Sequence, residues 1–147
     1  MQINGKSYRT VWTSQDRRAA EIIDQTRLPF EVRIVRLQSL EDAAVAIETM
    51  QVRGAPCIGA AAAYGMFLGL AEDASDAGLT RTSERLARTR PTAVNLNWAI
   101  GEIAAAVSHL PPASRAAAAL ERAEDICDED VEISKGIGRS GLQIIEQ

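Results

Sequence analysis

Short stretches of alternating apolar and polar residues occupy the N-terminal part of the chain, as expected of short, half-buried strands. Residues 1–13 alternate loosely around the turn signal Asn4-Gly5, which predicts a hairpin. Residues 17–26 have no regular period and predict no element of their own. Residues 30–37 alternate again and predict a strand, whose charged residues suit the edge of a sheet.

From residue 39 onward, apolar residues recur every three or four positions, which predicts helices. Ser39 and Asp42 have the spacing of a capping box at the first helix, and Pro91 stops the third because it disfavours helical geometry in the residue before it. Thr92 is the predicted cap of the fourth helix. The five predicted helices span residues 40–50, 56–72, 80–89, 93–109 and 112–135, and a glycine-rich tail follows.

These elements predict a mainly α fold with a small N-terminal antiparallel β element. We assign residues 1–38 to a β-rich segment and residues 39–147 to a helical region, both within one domain. The helix over 56–72 is apolar nearly all round, so we expect it at the centre of the core. A helical glycine costs about 1 kcal/mol relative to alanine, which predicts close approach of a neighbouring backbone. The glycines concerned are Gly59, Gly65 and Gly69.

Composition narrows the class of protein. The 147 residues are 46% hydrophobic and 24% charged, as in a soluble globular domain, and the net charge of −4 argues against nucleic acid as a partner. Charged residues are expected to interrupt every apolar run, and the N-terminus lacks an apolar signal core, so we predict a cytoplasmic protein without a membrane span. Cys57 and Cys127 are far apart, and we expect both to be reduced and packed.

Seven acidic residues lie close together on the last helix and raise the alternative of a metal site. At this density a solvated helix face is the preferred interpretation, and no metal site is predicted. The residues are Glu121, Glu124, Asp125, Asp128, Glu129, Asp130 and Glu132.

An arginine, two small residues and a proline precede the central helix. Pro56 suits the first helical position, and the unpaired backbone N–H groups of a helix start attract anions. Gly54 and Ala55 leave room for an anion, and Arg53 adds a charge with bidentate geometry. The stretch therefore predicts a small anion site, and the alternative is a packed loop with a merely solvated arginine.

Arg90-Pro91-Thr92 repeats this order before the fourth helix. Two such elements can aim two guanidinium groups and two helix starts at one anion. The alternative is that Arg90 caps the end of the preceding helix, where a cation is favoured. The chain has no Gly-x-Ser-x-Gly, His-Glu-x-x-His or Walker-type pattern, and its one histidine, His109, is expected at an exposed helix end.

Three segments carry a resemblance to a known family: Asp24–Pro29, Met50–Gly65 and Arg90–Ala99. In this order they resemble segments in the N-terminal part of the proteins of one family. That family contains methylthioribose-1-phosphate isomerases, ribose-1,5-bisphosphate isomerases and subunits of a eukaryotic translation-initiation exchange factor. The resemblance covers almost the whole chain. It implies aldose–ketose isomerisation of 5-methylthioribose 1-phosphate in methionine salvage, without a metal or an organic cofactor.

The resemblance also implies which residues contact substrate. In that family the Arg-Gly-Ala loop and the arginine of the Arg-Pro-Thr motif bind substrate, chiefly its phosphate. Carried onto this chain, the substrate-binding residues are Arg53, Gly54, Ala55 and Arg90.

The proton-transferring cysteine and aspartate of such enzymes lie in a larger, Rossmann-like C-terminal domain, and Cys127 does not match that cysteine. We therefore expect no catalytic residue in this chain, no turnover by it alone, and a C-terminal catalytic domain as its partner in a homodimer. Exposed apolar residues at the C-terminus are the expected interface, namely Leu142, Ile144 and Ile145. Two alternatives stay open: an isomerase of another pentose 1-phosphate, and a non-catalytic regulatory subunit of the translation-factor branch.

Overall fold

The computed structural model describes residues 2–3 and 5–146 and contains five strands followed by five helices. The strands are β1 (Gln2–Ile3), β2 (Lys6–Ser7), β3 (Val11–Thr13), β4 (Ala20–Ile23) and β5 (Ile34–Leu37). The helices are α1 (Leu40–Glu48), α2 (Ala55–Glu72), α3 (Asp76–Ala87), α4 (Val94–Val107) and α5 (Pro112–Ile145). The predicted mainly α fold with a small antiparallel β element is confirmed.

The strands form two antiparallel sheets. β1 pairs with β2, which confirms a hairpin near the N-terminus, but its second strand ends at Ser7 and residues 11–13 of the predicted hairpin belong to the other sheet. Gly5 has a φ of +77°, whereas Asn4 lies outside the described residues. β3, β4 and β5 form the second sheet with β4 at its centre. In that sheet Ile22 lies opposite Val11 on one side and opposite Val35 on the other.

Two strand predictions need correction. β4 is absent from the prediction because three of its four residues are buried, so its sequence shows no alternation. The strand predicted over 30–37 starts only at Ile34, although it does lie at a sheet edge. Its first residues turn instead, since the backbone N–H groups of Phe30 and Glu31 both donate to the Arg27 carbonyl oxygen.

Helix α2 occupies the middle of the core and packs against each of the other four helices. Its buried body confirms the prediction from its all-round apolar pattern. A Cβ on Gly59 would lie 3.0 Å from the Asn95 carbonyl oxygen, which is the predicted approach of a backbone. Gly65 and Gly69 instead accommodate side chains, those of Leu86 and Thr82.

By length and composition alone, α2 could cross a membrane. The prediction that charges interrupt every apolar run is wrong here, because α2 has no charged residue before Glu72. The fold accounts for the apolar sequence, since 72% of the helix is buried inside the protein.

The helix ends follow their caps. The capping box between Ser39 and Asp42 is confirmed. α3 begins earlier than predicted because the Ser75 side chain accepts a hydrogen bond from the backbone of Gly78. Thr92 does not cap α4, whose N-cap is Ala93. The glycine-rich tail is not a separate segment, because α5 continues through it.

The acidic residues of α5 lie mostly on its solvated side, as predicted, and several pair with arginines. Glu124 accepts two hydrogen bonds of 3.0 Å from Arg17, and Glu129 pairs with Arg122 at 2.6 Å. Within the described ranges, no group of three or more acidic, histidine or cysteine side chains is arranged to hold a metal ion.

Candidate functional site

The three segments that carry the resemblance meet at the start of α2. The backbone N–H of Gln25 donates to the Gln51 carbonyl oxygen at 2.8 Å, and the Gln25 amide donates to the Cys57 sulfur at 3.5 Å. On the other side, Gly59 lies against the backbone of Asn95 in the first turn of α4. Loops distant in sequence are therefore joined around one helix start.

The start of α2 has the features of an anion site. Gly54 is the N-cap, with a φ of +93°, and it supplies no side-chain hydrogen bond to the helix. Ala55 is the first helical residue, so Pro56 is the second and not the first as predicted. The first intrahelical bond runs from Ile58 N–H to the Gly54 carbonyl oxygen at 2.9 Å. The earlier backbone N–H groups of the helix therefore lack intrahelical acceptors.

Arg53 is exposed at this helix start and Arg90 is half-buried in front of α4. Within residues 2–3 and 5–146, neither guanidinium group forms an ion pair or a side-chain hydrogen bond. By contrast, Arg85 bonds both Glu41 and Glu48. The charges of Arg53 and Arg90 are thus uncompensated by protein carboxylates, as a site for an anionic ligand requires.

The alternative role for Arg90, as a cap of α3, falls instead to the residues before it, because the C-cap of α3 is Arg88. The Thr89 hydroxyl donates to the Leu86 carbonyl oxygen at 2.6 Å, and the Thr89 backbone N–H donates to the same oxygen at 3.0 Å. The Arg90 carbonyl oxygen accepts a bond from Ala93 N–H, which forms the turn into α4.

Both cysteines are free thiols beside the site. Burial raises the pKa of Cys57 to about 11, although the Gln25 hydrogen bond acts in the opposite direction. Burial likewise raises the pKa of Cys127 to about 12, against the attraction of Arg9. Both thiols are therefore protonated near neutral pH, which fits packing and not nucleophilic chemistry.

An apolar groove of about 460 Å³, which we call the α2–α4–α5 groove, adjoins the helix start. Its lining includes Pro56, Val94, Trp98, Ile126 and Ile133. The helix that carries Val94 and Trp98 was predicted, but the groove that these two residues line was not. The available signal was a large apolar residue at each of two positions one helical turn apart.

The far side of this groove is acidic. Glu129 pairs with Arg122, whereas half-buried Asp130 has no hydrogen-bond or ion-pair partner in the part of the chain that the structure describes. Asp130 is close enough for its charge to add to the raised pKa of Cys57. The site therefore runs from a cationic helix start to a carboxylate, with apolar walls between them.

Comparisons with known proteins find a family and named relatives that are similar to this chain. The model of the family described as the Initiation factor 2 subunit family matches residues 51–147. A protein of Paramagnetospirillum magneticum named methylthioribose-1-phosphate isomerase is 57% identical over 145 residues, which cover 99% of this chain and 40% of that protein. The chain thus spans about two fifths of the length of this relative.

Two solved structures share the fold. The crystal structure of 5-methylthioribose 1-phosphate isomerase from Pyrococcus horikoshii has a TM-score of 0.77 at 36% identity, and the match covers 86% of this chain and 38% of that one. The structure of the translation initiation factor eIF-2B, subunit delta, from A. fulgidus has a TM-score of 0.78 at 34% identity, with the same coverage. The resemblance inferred from the three segments is confirmed.

Proposed function

We propose, because this chain belongs to the Initiation factor 2 subunit family, that it is the N-terminal part of an enzyme of methionine salvage. The reaction is the isomerisation of 5-methylthioribose 1-phosphate to 5-methylthioribulose 1-phosphate. The name of the 57% identical relative supports this choice of substrate. Residues 1–38 and 39–147 together form the domain that binds the phosphate.

One observation carries the proposal: the exposed start of α2 has no side-chain cap and adjoins Arg53, whose guanidinium group has no protein partner among the described residues. Backbone N–H groups at a helix start and the positive end of the helix dipole both favour a phosphate. Gly54 has no Cβ, and a Cβ built there would meet nothing within 4 Å, so the approach to these N–H groups is open. Arg53, Gly54 and Ala55 form one side of the phosphate site, and Arg90 forms the other.

The proton transfer between C1 and C2 of the sugar requires a general acid and base held against those carbons. Cys57 and Cys127 are protonated near neutral pH and are unsuited to this role. We assign the chemistry to a C-terminal catalytic domain, in a cytoplasmic homodimer, and expect no turnover by residues 1–147 alone.

A chimeric enzyme tests this proposal. In it, this chain replaces the matching segment of the Paramagnetospirillum magneticum isomerase, to which it is 57% identical. Removing hydrogen bonds to a charged ligand costs about 1.5–3 kcal/mol. Arg53→Ala should therefore raise the KM for 5-methylthioribose 1-phosphate roughly 10- to 100-fold, with a smaller change in kcat, in a steady-state assay.

Arg18→Ala is the matched control, because Arg18 is also exposed and forms no ion pair among the described residues. It should leave the KM unchanged. An unchanged KM in Arg53→Ala, or an equal rise in both variants, contradicts the phosphate role of Arg53. If the chimera is inactive while the parent isomerase is active in the same assay, the assignment of this chain to an enzyme is contradicted.

A second candidate is a non-catalytic subunit, which the TM-score of 0.78 with the eIF-2B delta subunit favours. The chimera separates the two functions, since only the first predicts isomerisation. Adding ribose 1-phosphate as a competing substrate tests the remaining alternative, an isomerase of another pentose 1-phosphate.

A further inference from the structure

The α2–α4–α5 groove exposes large apolar side chains next to the proposed phosphate site. Val94 is 78% exposed and Trp98 is 46% exposed, and both lie on the face of α4 that the protein core leaves uncovered. The buried face of the same helix is formed by other residues, including Leu96, Ala99 and Ile103. The exposed pair is therefore not required to close the core.

We propose that this groove binds the apolar, thioether-bearing end of the sugar phosphate, with Val94 and Trp98 as specificity-determining residues. The inference rests on the proposed function, because it takes the phosphate to lie at the start of α2. The thioether end of the ligand then contacts Val94 and Trp98, which are not part of the phosphate site.

Position along α2 supports this orientation. Pro56 and Gly59 line the groove, and Gly59 lies four residues beyond Ala55. At 1.5 Å per residue these four steps span about 6 Å, comparable with the span of a pentose from its C1 oxygen to its C5 substituent. A ligand with its phosphate at Ala55 therefore reaches the groove with its C5 substituent.

Charge supports it as well. Glu129 and Asp130 line the groove at its α5 side and would repel a phosphate there. The same carboxylates accept hydrogen bonds from sugar hydroxyls, and Asp130 has no other partner in the described ranges. The thioether is the uncharged, apolar group of the ligand. Its burial against the apolar walls of the groove is therefore the most favourable.

Tryptophan NMR tests the contact without any turnover. The chain has two tryptophans, and the indole of Trp12 is bonded to Glu21 at 2.7 Å on the sheet, away from the groove. Titration of the ¹⁵N-labelled 147-residue chain with 5-methylthioribose 1-phosphate should shift the indole signal of Trp98 and not that of Trp12. Ribose 1-phosphate at equal occupancy should shift Trp98 less. Equal shifts of both indoles, or an unmoved Trp98 signal at saturation, overturn the inference.

Specificity in the chimera gives an independent readout. Val94→Thr keeps the side-chain shape and adds a hydroxyl, and Val45→Thr on α1 is the matched control at another exposed valine outside the groove. Loss of one apolar contact in a pocket changes specificity roughly tenfold. Val94→Thr should lower kcat/KM for 5-methylthioribose 1-phosphate about tenfold and leave the inhibition constant of ribose 1-phosphate unchanged.

The outcomes keep the two proposals apart. An unchanged kcat/KM in Val94→Thr, or an equal loss for both ligands, overturns the groove assignment while the Arg53 result stands. If Arg53→Ala has no effect on the KM of the chimera but Val94→Thr lowers kcat/KM as expected, only the assignment of the phosphate site is overturned.

Discussion

The start and the body of α2 are built from the same small residues, but these residues serve different purposes. In the body, Gly65 and Gly69 make room for the side chains of Leu86 and Thr82, and the surrounding residues are buried. At the start, Gly54 is exposed, with open space where a Cβ would be and a φ of +93°. A glycine in the body is thus a packing residue, whereas Gly54 sets a backbone angle and leaves the helix start open.

This difference separates what holds the protein together from what contacts a ligand. Substitutions in the body should lower stability without a specific effect on binding. Substitutions at the start should weaken binding with little effect on stability, because the Arg53 guanidinium group has no partner to lose among the described residues.

The largest expected effect is on stability, from truncation in the body of α2. Leu68 is 1% exposed, and a buried leucine that is replaced by alanine loses contacts and leaves a cavity. Leu68→Ala should lower the free energy of unfolding by about 2–5 kcal/mol, measured by urea denaturation of the 147-residue chain.

Leu142→Ala on the exposed part of α5 is the control for the same truncation, since Leu142 is 53% exposed. Its effect should stay within about 0.5 kcal/mol. Similar losses in both variants would contradict the central position of α2 in the core.

The body of α2 could be predicted from sequence because its physical cause is local. An uninterrupted apolar helix has to be buried, and the helix over 56–72 was predicted within one residue of its observed start. The capping box at Ser39 was equally readable, because both partners lie within four residues. Central strand β4 was not, since burial of both faces removes the alternation that identifies a strand.

The site was only half predictable for a related reason. Arg53 and Gly54 stand out in the sequence because a cation, a flexible residue and a helix start are consecutive. Nothing local indicates that Asn95 meets Gly59, or that Trp98 and Ile133 line the same groove. Those contacts depend on how α4 and α5 pack against α2, which a single sequence does not determine.

A smaller effect is expected from overfilling the body. A Cβ on Gly69 would lie 2.4 Å from the Thr82 hydroxyl oxygen, and Thr82 is itself buried. Gly69→Ala should therefore lower the free energy of unfolding by about 1–3 kcal/mol in the same urea experiment.

Gly101→Ala on α4 is the matched control, because a Cβ at Gly101 meets nothing within 4 Å. There the higher helix propensity of alanine should raise the free energy of unfolding by up to about 1 kcal/mol. If both substitutions raise stability, the close contact between Gly69 and Thr82 does not exist in solution.

The smallest expected effect on stability and binding comes from the ionisation or the replacement of Cys57. This residue lies between the start and the body of α2. Burial raises the pKa of its thiol from 9.0 to about 11, so the folded state favours the protonated form. The stabilisation that comes from burying the protonated thiol is fully present below pH 9 and is lost as the pH rises towards 11. In a Cys127→Ala background, alkylation by iodoacetamide at pH 8 should be about 100-fold slower than in urea, and should accelerate about tenfold per pH unit.

Cys57→Ala tests whether this thiol contacts the ligand. The thiol accepts a hydrogen bond from the Gln25 amide, and the charge of Asp130 adds to its raised pKa. Cys57 is nevertheless the third residue of the helix and belongs to its start. If the start acts through Arg53 and the backbone N–H groups, Cys57→Ala should leave the KM of the chimera unchanged, because alanine keeps the N–H. Rapid alkylation of Cys57 at pH 8, together with a raised KM in Cys57→Ala, would instead make the thiol part of the ligand site. The ligand-binding part of α2 would then include the side chains of its first turn.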